Sequence, residues 1–303
     1  MIDKIETTTE FIESKGGLIL AGKIARMIGL GNIICSNVKN AGNIIISLFA
    51  LMIEGKTDFE SMKEKRDSLF FREALDLAFV YAKETIRLYL EKMAVDSNKI
   101  INQLKESAAK IIKISKLHGI WIEDKLYIPI DMDTTVMDNS KTNKEGVSYT
   151  YRGYDGYQPM MAYIGKEGYI LNCELRPGSQ HCQSGTTVFI WESVRQLEKA
   201  EIKGRILFRL DSGNDAYETM EAIIYSREEN YCIIKRNKRR ESDEKWLEMA
   251  KLNGKLEEPR KGKKIWRGIT DIHPRNKRGQ ILEDIHCVYE VIERTTDYIG
   301  NEL

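Results

Sequence analysis

"YIPIDMDTTVMDNS", residues 127–140, decides how this chain is read. An apolar, strand-like run ends in Asp131 and Asp133, and a polar turn follows. A carboxylate taken out of water is costly unless it is paired or holds a metal. Side chains two apart on a strand face the same way, so Asp131 and Asp133 share a face. Pro129 lies inside the run and cannot donate to a ladder, which predicts a bulge or an unpaired position there.

Downstream, residues 158–178, "QPMMAYIGKEGYILNCELRPG", form two apolar runs joined at "GKEG", a β-hairpin pattern. "GTTVFIWESVRQLEKA" has helical spacing at Val188, Trp191 and Arg195, with Val194 and Leu197 alongside. "GRILFRLDSGND" is a short buried strand ending in Asp211, "AYETMEAIIYSREEN" a helix, and "YCIIKRN" another strand. The order β, β, β, α, β, α, β predicts a mixed sheet with helices against it.

Upstream, residues 1–115 read as helical. "IIISLFALMI" places Ile44, Leu48, Leu51 and Met52 at helical spacing before Gly55, and is too short to cross a bilayer. Thr85 to Met93 is a short helix with Ile86, Leu90 and Met93 facing one way. "SNKIINQLKESAAKII" offers Ser97 as an N-cap, with Ile100, Ile101, Leu104, Ala108 and Ile111 on one face. Such a bundle serves equally as a DNA-binding domain or as a packing and dimerisation unit.

With 31% charged and 42% hydrophobic residues, the chain has the composition of a soluble globular protein. A net charge of +1 implies no partner by itself, but the charge is unevenly spread. Residues 235–278 hold sixteen Lys or Arg against seven Asp or Glu, a net of +9. "KRNKRR", "PRKGKKIWR" and "PRNKR" are interleaved with Trp246 and Trp266, a pattern that suits a nucleic-acid backbone or a solvated face. Residues 286–303 read as one more strand and an interrupted turn. The five scattered cysteines have no CxxC spacing, which argues against a zinc knuckle or a disulfide framework. No secretory signal is expected at the N-terminus.

The chemistry centres on the two acidic strand ends. If the strands are neighbours, Asp133 and Asp211 converge on one metal, and oxygen ligands without His or Cys favour Mg²⁺ or Mn²⁺. The competing reading is that both aspartates only cap polar turns. Asp215 reads as the N-cap of the following helix, His181 as a solvated loop residue, and Arg176 as a phosphate contact.

At these residues the chain resembles the DDE transposases of bacterial insertion sequences. "DMDTTV" is similar to the family's first motif. "GYDGYQPMMAYIGKEGYILNCELRPGSQHCQSG" is similar to its "GY-x-P-L-x-A-F" hairpin and "LRPGN-x-H" loop, and "RLDSGND" to its "R-x-DSG" motif. "GGLILAGKIARMIGL" and "ETIRLYLEKMA" resemble its helical region.

The resemblance implies an α/β mixed fold. A helical, DNA-binding N-terminal domain (1–115) precedes a ribonuclease-H-like core with flanking helices (116–235). A basic, partial β-rich insertion (236–303) follows. Asp133 and Asp211 map to the first two catalytic metal ligands for Mg²⁺ or Mn²⁺, supported by Asp131 and Thr134. The family's third ligand, a glutamate on a later helix, is not found; Glu290 and Glu293 sit on an expected strand and are not nominated. A chain truncated before that acid, with weak or absent cleavage, is the expectation. Arg176, Lys235, Arg236, Lys238, Arg239, Arg240, Lys263, Lys264 and Arg267 are expected to bind DNA. The expected partners are double-stranded DNA (element ends and target) and a second copy of the chain, with no membrane. The expected setting is a bacterial cytoplasm, at the nucleoid. The alternative function is a non-catalytic DNA-binding protein that occupies element ends.

Overall fold

The computed structural model describes residues 16–297 and 299. It divides into two compact units, 1–115 and 116–303.

The first unit is helical among its described residues: α1 (Gly17–Ile28), α2 (Ala41–Ile53), α3 (Met62–Lys65), α4 (Leu69–Leu75), α5 (Lys83–Met93) and α6 (Ser97–Ile114). Its core gathers Ala25, Ile28, Ile44, Leu51, Phe71, Leu75 and Ile86. Gly22 lets α1 and α4 touch: a Cβ there would lie 1.9 Å from the Ala74 carbonyl oxygen. Gly55 does follow the end of α2, at φ 70°. Three expectations shift. Met52 and Ile101 point to solvent, because α2 and α6 each bury a narrower stripe than the apolar pattern suggests. Ser97 is the first helical residue and Asp96 precedes it, its carboxylate accepting from the Ser36 backbone N–H.

The second unit opens with β1 (Ile120–Ile122), β2 (Lys125–Thr134), β3 (Met137–Asp138), β4 (Ser148–Tyr149), β5 (Asp155–Tyr157), β6 (Met160–Ile164) and β7 (Tyr169–Glu174). It continues through α7 (Thr186–Lys199), β8 (Arg205–Leu210), α8 (Tyr217–Ser226) and β9 (Asn230–Ile234). The main sheet runs β7-β6-β2-β8-β9, with β1 on β2. β6 is antiparallel to both β2 and β7, while β2, β8 and β9 are parallel. This mixed sheet with helices between its later strands is the ribonuclease-H-like arrangement. Ile206, Leu207 and Phe208 are all buried, as befits a parallel strand covered on both faces.

Pro129 sits inside β2 without a bulge. Its carbonyl accepts from Gly165, so its nitrogen faces the same side, where β1 hands over to β6. The missing donor falls at that changeover, and the ladder to β8 continues past it. On α7 the buried residues include Phe189, Ile190, Val194 and Leu197; Val188 and Trp191 lie on the solvent side.

Beyond β9, α9 (Asp243–Asn253) packs on a second antiparallel sheet of β10 (Lys255–Arg260), β11 (Lys263–Thr270) and β12 (Cys287–Arg294). The sequence pattern predicts no helix at α9, where charged residues of both signs interrupt a short apolar face. Ser242 caps it, accepting from the Lys245 N–H. A short sheet ordered β3-β5-β4 forms between β2 and β6.

Candidate metal centre and nucleic-acid surface

The register of β2 on β8 sets the centre. Asp131 lies opposite Arg209 and Met132 opposite Leu210, so Asp133 and Asp211 follow as the next residues of two adjacent parallel strands. Alternation puts Asp131, Asp133, Arg209 and Asp211 on one face, opposite the buried Ile130, Met132, Phe208 and Leu210. Open α/β sheets place their sites at the carboxyl ends of such strands.

The two neighbouring aspartates of β2 have different surroundings. Asp131 is held bidentately by Arg209, Nε to Oδ1 at 2.7 Å and Nη2 to Oδ2 at 2.6 Å. Asp133 has no basic partner among the described residues. Its Oδ1 accepts from the Thr134 N–H at 2.7 Å. Partial burial raises its pKa, the Thr134 bond opposes the rise, and the Asp211 charge adds to it. Asp211 caps a 3₁₀ turn (Ser212–Asn214), its Oδ1 accepting from the Gly213 N–H at 3.1 Å and from Asn214 Nδ2 at 3.0 Å. The turn-capping and metal-ligand readings are therefore compatible, since each aspartate uses Oδ1 for its own turn. Both offer hard oxygen donors, and a divalent cation would relieve their repulsion. Among the described residues, no group of three or more His, Cys, Asp and Glu could hold a metal. Glu290 and Glu293 lie on β12, engaged with Arg267 and Lys251.

Arg176 and Asp215 move from their expected roles, while His181 is an exposed loop residue as expected. Arg176 is 1% exposed, so it cannot present its charge to a phosphate. Its Nε donates to Glu174 at 2.7 Å, its Nη1 to the Cys182 carbonyl at 3.1 Å, and its guanidinium lies over the Phe189 ring. Asp215 does not cap α8; Ala216 precedes that helix, and Asp215 accepts from the Asn237 N–H at 2.9 Å. His181 accepts from the Gln183 N–H through Nδ1. Thr134 accepts from Gln158 Nε2 at 3.1 Å. Cys182, which the sequence did not single out, donates its thiol to the Gly213 carbonyl at 3.1 Å. Burial and the Asp211 charge raise its pKa.

The basic segment divides by partner. Arg236 is forked onto Glu241 and lies over the Trp246 ring; Lys238 pairs with Asp243; Arg267 bridges Glu257 and Glu290. Arg239 donates to the Asp215 carbonyl at 3.3 Å. Lys235, Arg240, Lys263 and Lys264 carry no ion pair among the described residues. Trp266 is buried beneath Lys251, and Trp246 is half-buried with its Nε1–H donated to Glu241, so neither presents a free ring for stacking. Lys235, Arg236, Arg239, Arg275 and His286 line a cleft of about 720 Å³ whose apolar side includes Met220. No described helix is long and apolar enough to cross a membrane.

Comparison with curated proteins gave no match. Among solved structures, a piggyBac transposase synaptic complex with hairpin DNA aligns at TM-score 0.40 and 12% identity, over 92% of this chain and 61% of that one. A Mos1 transposase paired-end complex with the left transposon end aligns at TM-score 0.26 and 10% identity, over 78% of this chain and 90% of that one. This chain thus spans 61% of the length of the piggyBac transposase it matches. The family described as transposase DDE domain group 1 matches residues 4–258, most of the sequence, and the chain belongs to that family.

Proposed function

We propose that this chain acts as a DNA transposase, cutting DNA and transferring strands by metal-dependent phosphoryl transfer. The observation that carries the proposal is the aspartate pair at the carboxyl ends of β2 and β8, two like charges with no basic side chain of the described residues between them. Asp133 and Asp211 would hold Mg²⁺ or Mn²⁺, which supplies positive charge for a phosphoryl oxygen and for activating an attacking hydroxyl. The chain's own residues prepare that place. The Thr134 and Gly213 N–H groups fix one oxygen of each aspartate. Arg209 keeps the Asp131 charge neutralised beside them.

The partner is double-stranded DNA, at element ends and target. Its backbone would lie along Lys235, Arg240, Lys263 and Lys264, with the cleft side of Arg236 and Arg239 adjoining. The N-terminal helical unit adds DNA contacts, a second copy of the chain binds the same DNA, and the setting is a bacterial cytoplasm at the nucleoid.

Mn²⁺ titrated into the protein and into Asp133→Ala and Asp211→Ala tests the centre. Binding by the parent and loss in both variants is the expected result. Equal binding by all three proteins removes the assignment. A second reading, a non-catalytic DNA-binding protein that occupies element ends, is favoured by the absence of a third ligand among the described residues. It predicts salt-sensitive DNA binding with no Mn²⁺-dependent nicking of plasmid DNA.

A further inference from the structure

The loop between β7 and α7 carries a buried arginine that the proposed chemistry does not use. A guanidinium this buried is costly unless its donors are spent on fixed partners. Here one partner is the Glu174 carboxylate and another is the Cys182 carbonyl, which also accepts from Thr186 Oγ1. Arg176 therefore sets the path of residues 176–182.

That path touches both aspartate turns. On one side the Arg176 carbonyl accepts from the Gln158 N–H at 2.9 Å. Gln158 Nε2 reaches Thr134 Oγ1 at 3.1 Å, and the Thr134 N–H holds Asp133. On the other side, the Cys182 thiol donates to the Gly213 carbonyl at 3.1 Å, and the Gly213 N–H holds Asp211. Contact there is close: a Cβ on Gly213 would lie 2.9 Å from Cys182 Sγ and 3.2 Å from Asp211 Oδ1. One loop thus braces two turns that belong to different strands.

We propose that Arg176 and Cys182 are positioning residues that hold Asp133 and Asp211 in a fixed relation through this loop. The proposal rests on the reading of those aspartates as the metal centre, but its geometry is tested without metal. The measurement is amide hydrogen exchange at Gly213 and Thr134, with Met132 and Phe208 in the sheet as references. Cys182→Ala removes the thiol donor and is expected to speed exchange at Gly213 by about three- to tenfold while leaving the references unchanged. Cys182→Ser keeps a donor and is expected to restore protection. Unchanged exchange at Gly213 in Cys182→Ala, or no rescue by serine, overturns the role of Cys182.

Arg176→Lys is expected to speed exchange at Gly213 and Thr134 together, ahead of the references. Equal acceleration at every site means that Arg176 serves only general stability, and overturns its positioning role. Mn²⁺ titration of the same variants separates the two claims. If the parent binds no Mn²⁺ but the exchange pattern holds, the metal reading fails and the brace stands. If Mn²⁺ binds and is lost with Asp211→Ala while exchange is unchanged in Cys182→Ala, the metal reading stands and the brace fails.

Discussion

The ends of β2 and β8 and the basic segment from 235 to 294 handle charge in opposite ways. At the strand ends, Asp133 and Asp211 lie side by side with no ion-paired basic side chain among the described residues, although Arg209 is close enough to hold Asp131. In the basic segment, where the sequence shows an excess of +9 over residues 235–278, Arg236, Lys238 and Arg267 are each paired with carboxylates. The excess is therefore carried by fewer side chains than the count suggests. Unneutralised charge marks where a partner of opposite sign is needed, and it follows from geometry, not from composition.

The largest expected effect bears on the basic side. Trp266 is a core residue here, so Trp266→Ala should cost about 3–5 kcal/mol in urea unfolding. Full stability with weakened DNA binding would return Trp266 to the stacking role and undo half of the comparison.

Next comes the division among cations. Changing Lys235, Arg240, Lys263 and Lys264 together to Gln should lower the slope of log K against log salt by about 3–4, since each phosphate contact contributes about 0.9. Changing Arg236, Lys238 and Arg267 together should lower it by less per residue, because each is already spent on a carboxylate in the free protein. Equal losses of slope per residue in the two sets would show that pairing in the free protein does not decide contact.

The smallest effect sharpens the acidic side. Asp211→Asn removes one like charge, so the Asp133 pKa should fall, measured by carboxyl NMR titration. The sign for stability follows. Folded Asp133 holds its proton more tightly than the unfolded chain does, so its contribution is full at acid pH. It is lost as pH rises through the raised folded pKa. The Asp211→Asn variant should lose less over that window. A Gly213→Ala change should also disturb the pair, because the added Cβ crowds Cys182 and Asp211. Mn²⁺ binding unchanged by that substitution would separate the turn from the centre.

Much of the fold was legible. The hairpin at "GKEG", the buried run "RILFRL" and the strand ending in Asp133 are local patterns, and the structure forms β6, β7, β8 and β2 there. Local patterns failed where a neighbour decided. Ser97 and Asp215 look like helix caps, but preceding turns and the Asn237 N–H claim those positions. Val188 and Trp191 have helical spacing, yet the sheet takes the opposite side of α7. The mixed charges of α9 hid a helix because only Ala250 of it is buried and its packing is against β11 and β12.

By itself the sequence determined the order of the longer main-sheet strands with the helices between them, the family and the two aspartates at strand ends, because period-2 and helical patterns and short motifs are written locally. Only the tertiary structure decided which charges remain unpaired. It put Arg209 on Asp131, buried Arg176 against Glu174 and Cys182, and sent Glu290 to Arg267. Those pairings join residues up to 78 positions apart, and strand register and loop path, which no local pattern encodes, bring them within hydrogen-bonding distance.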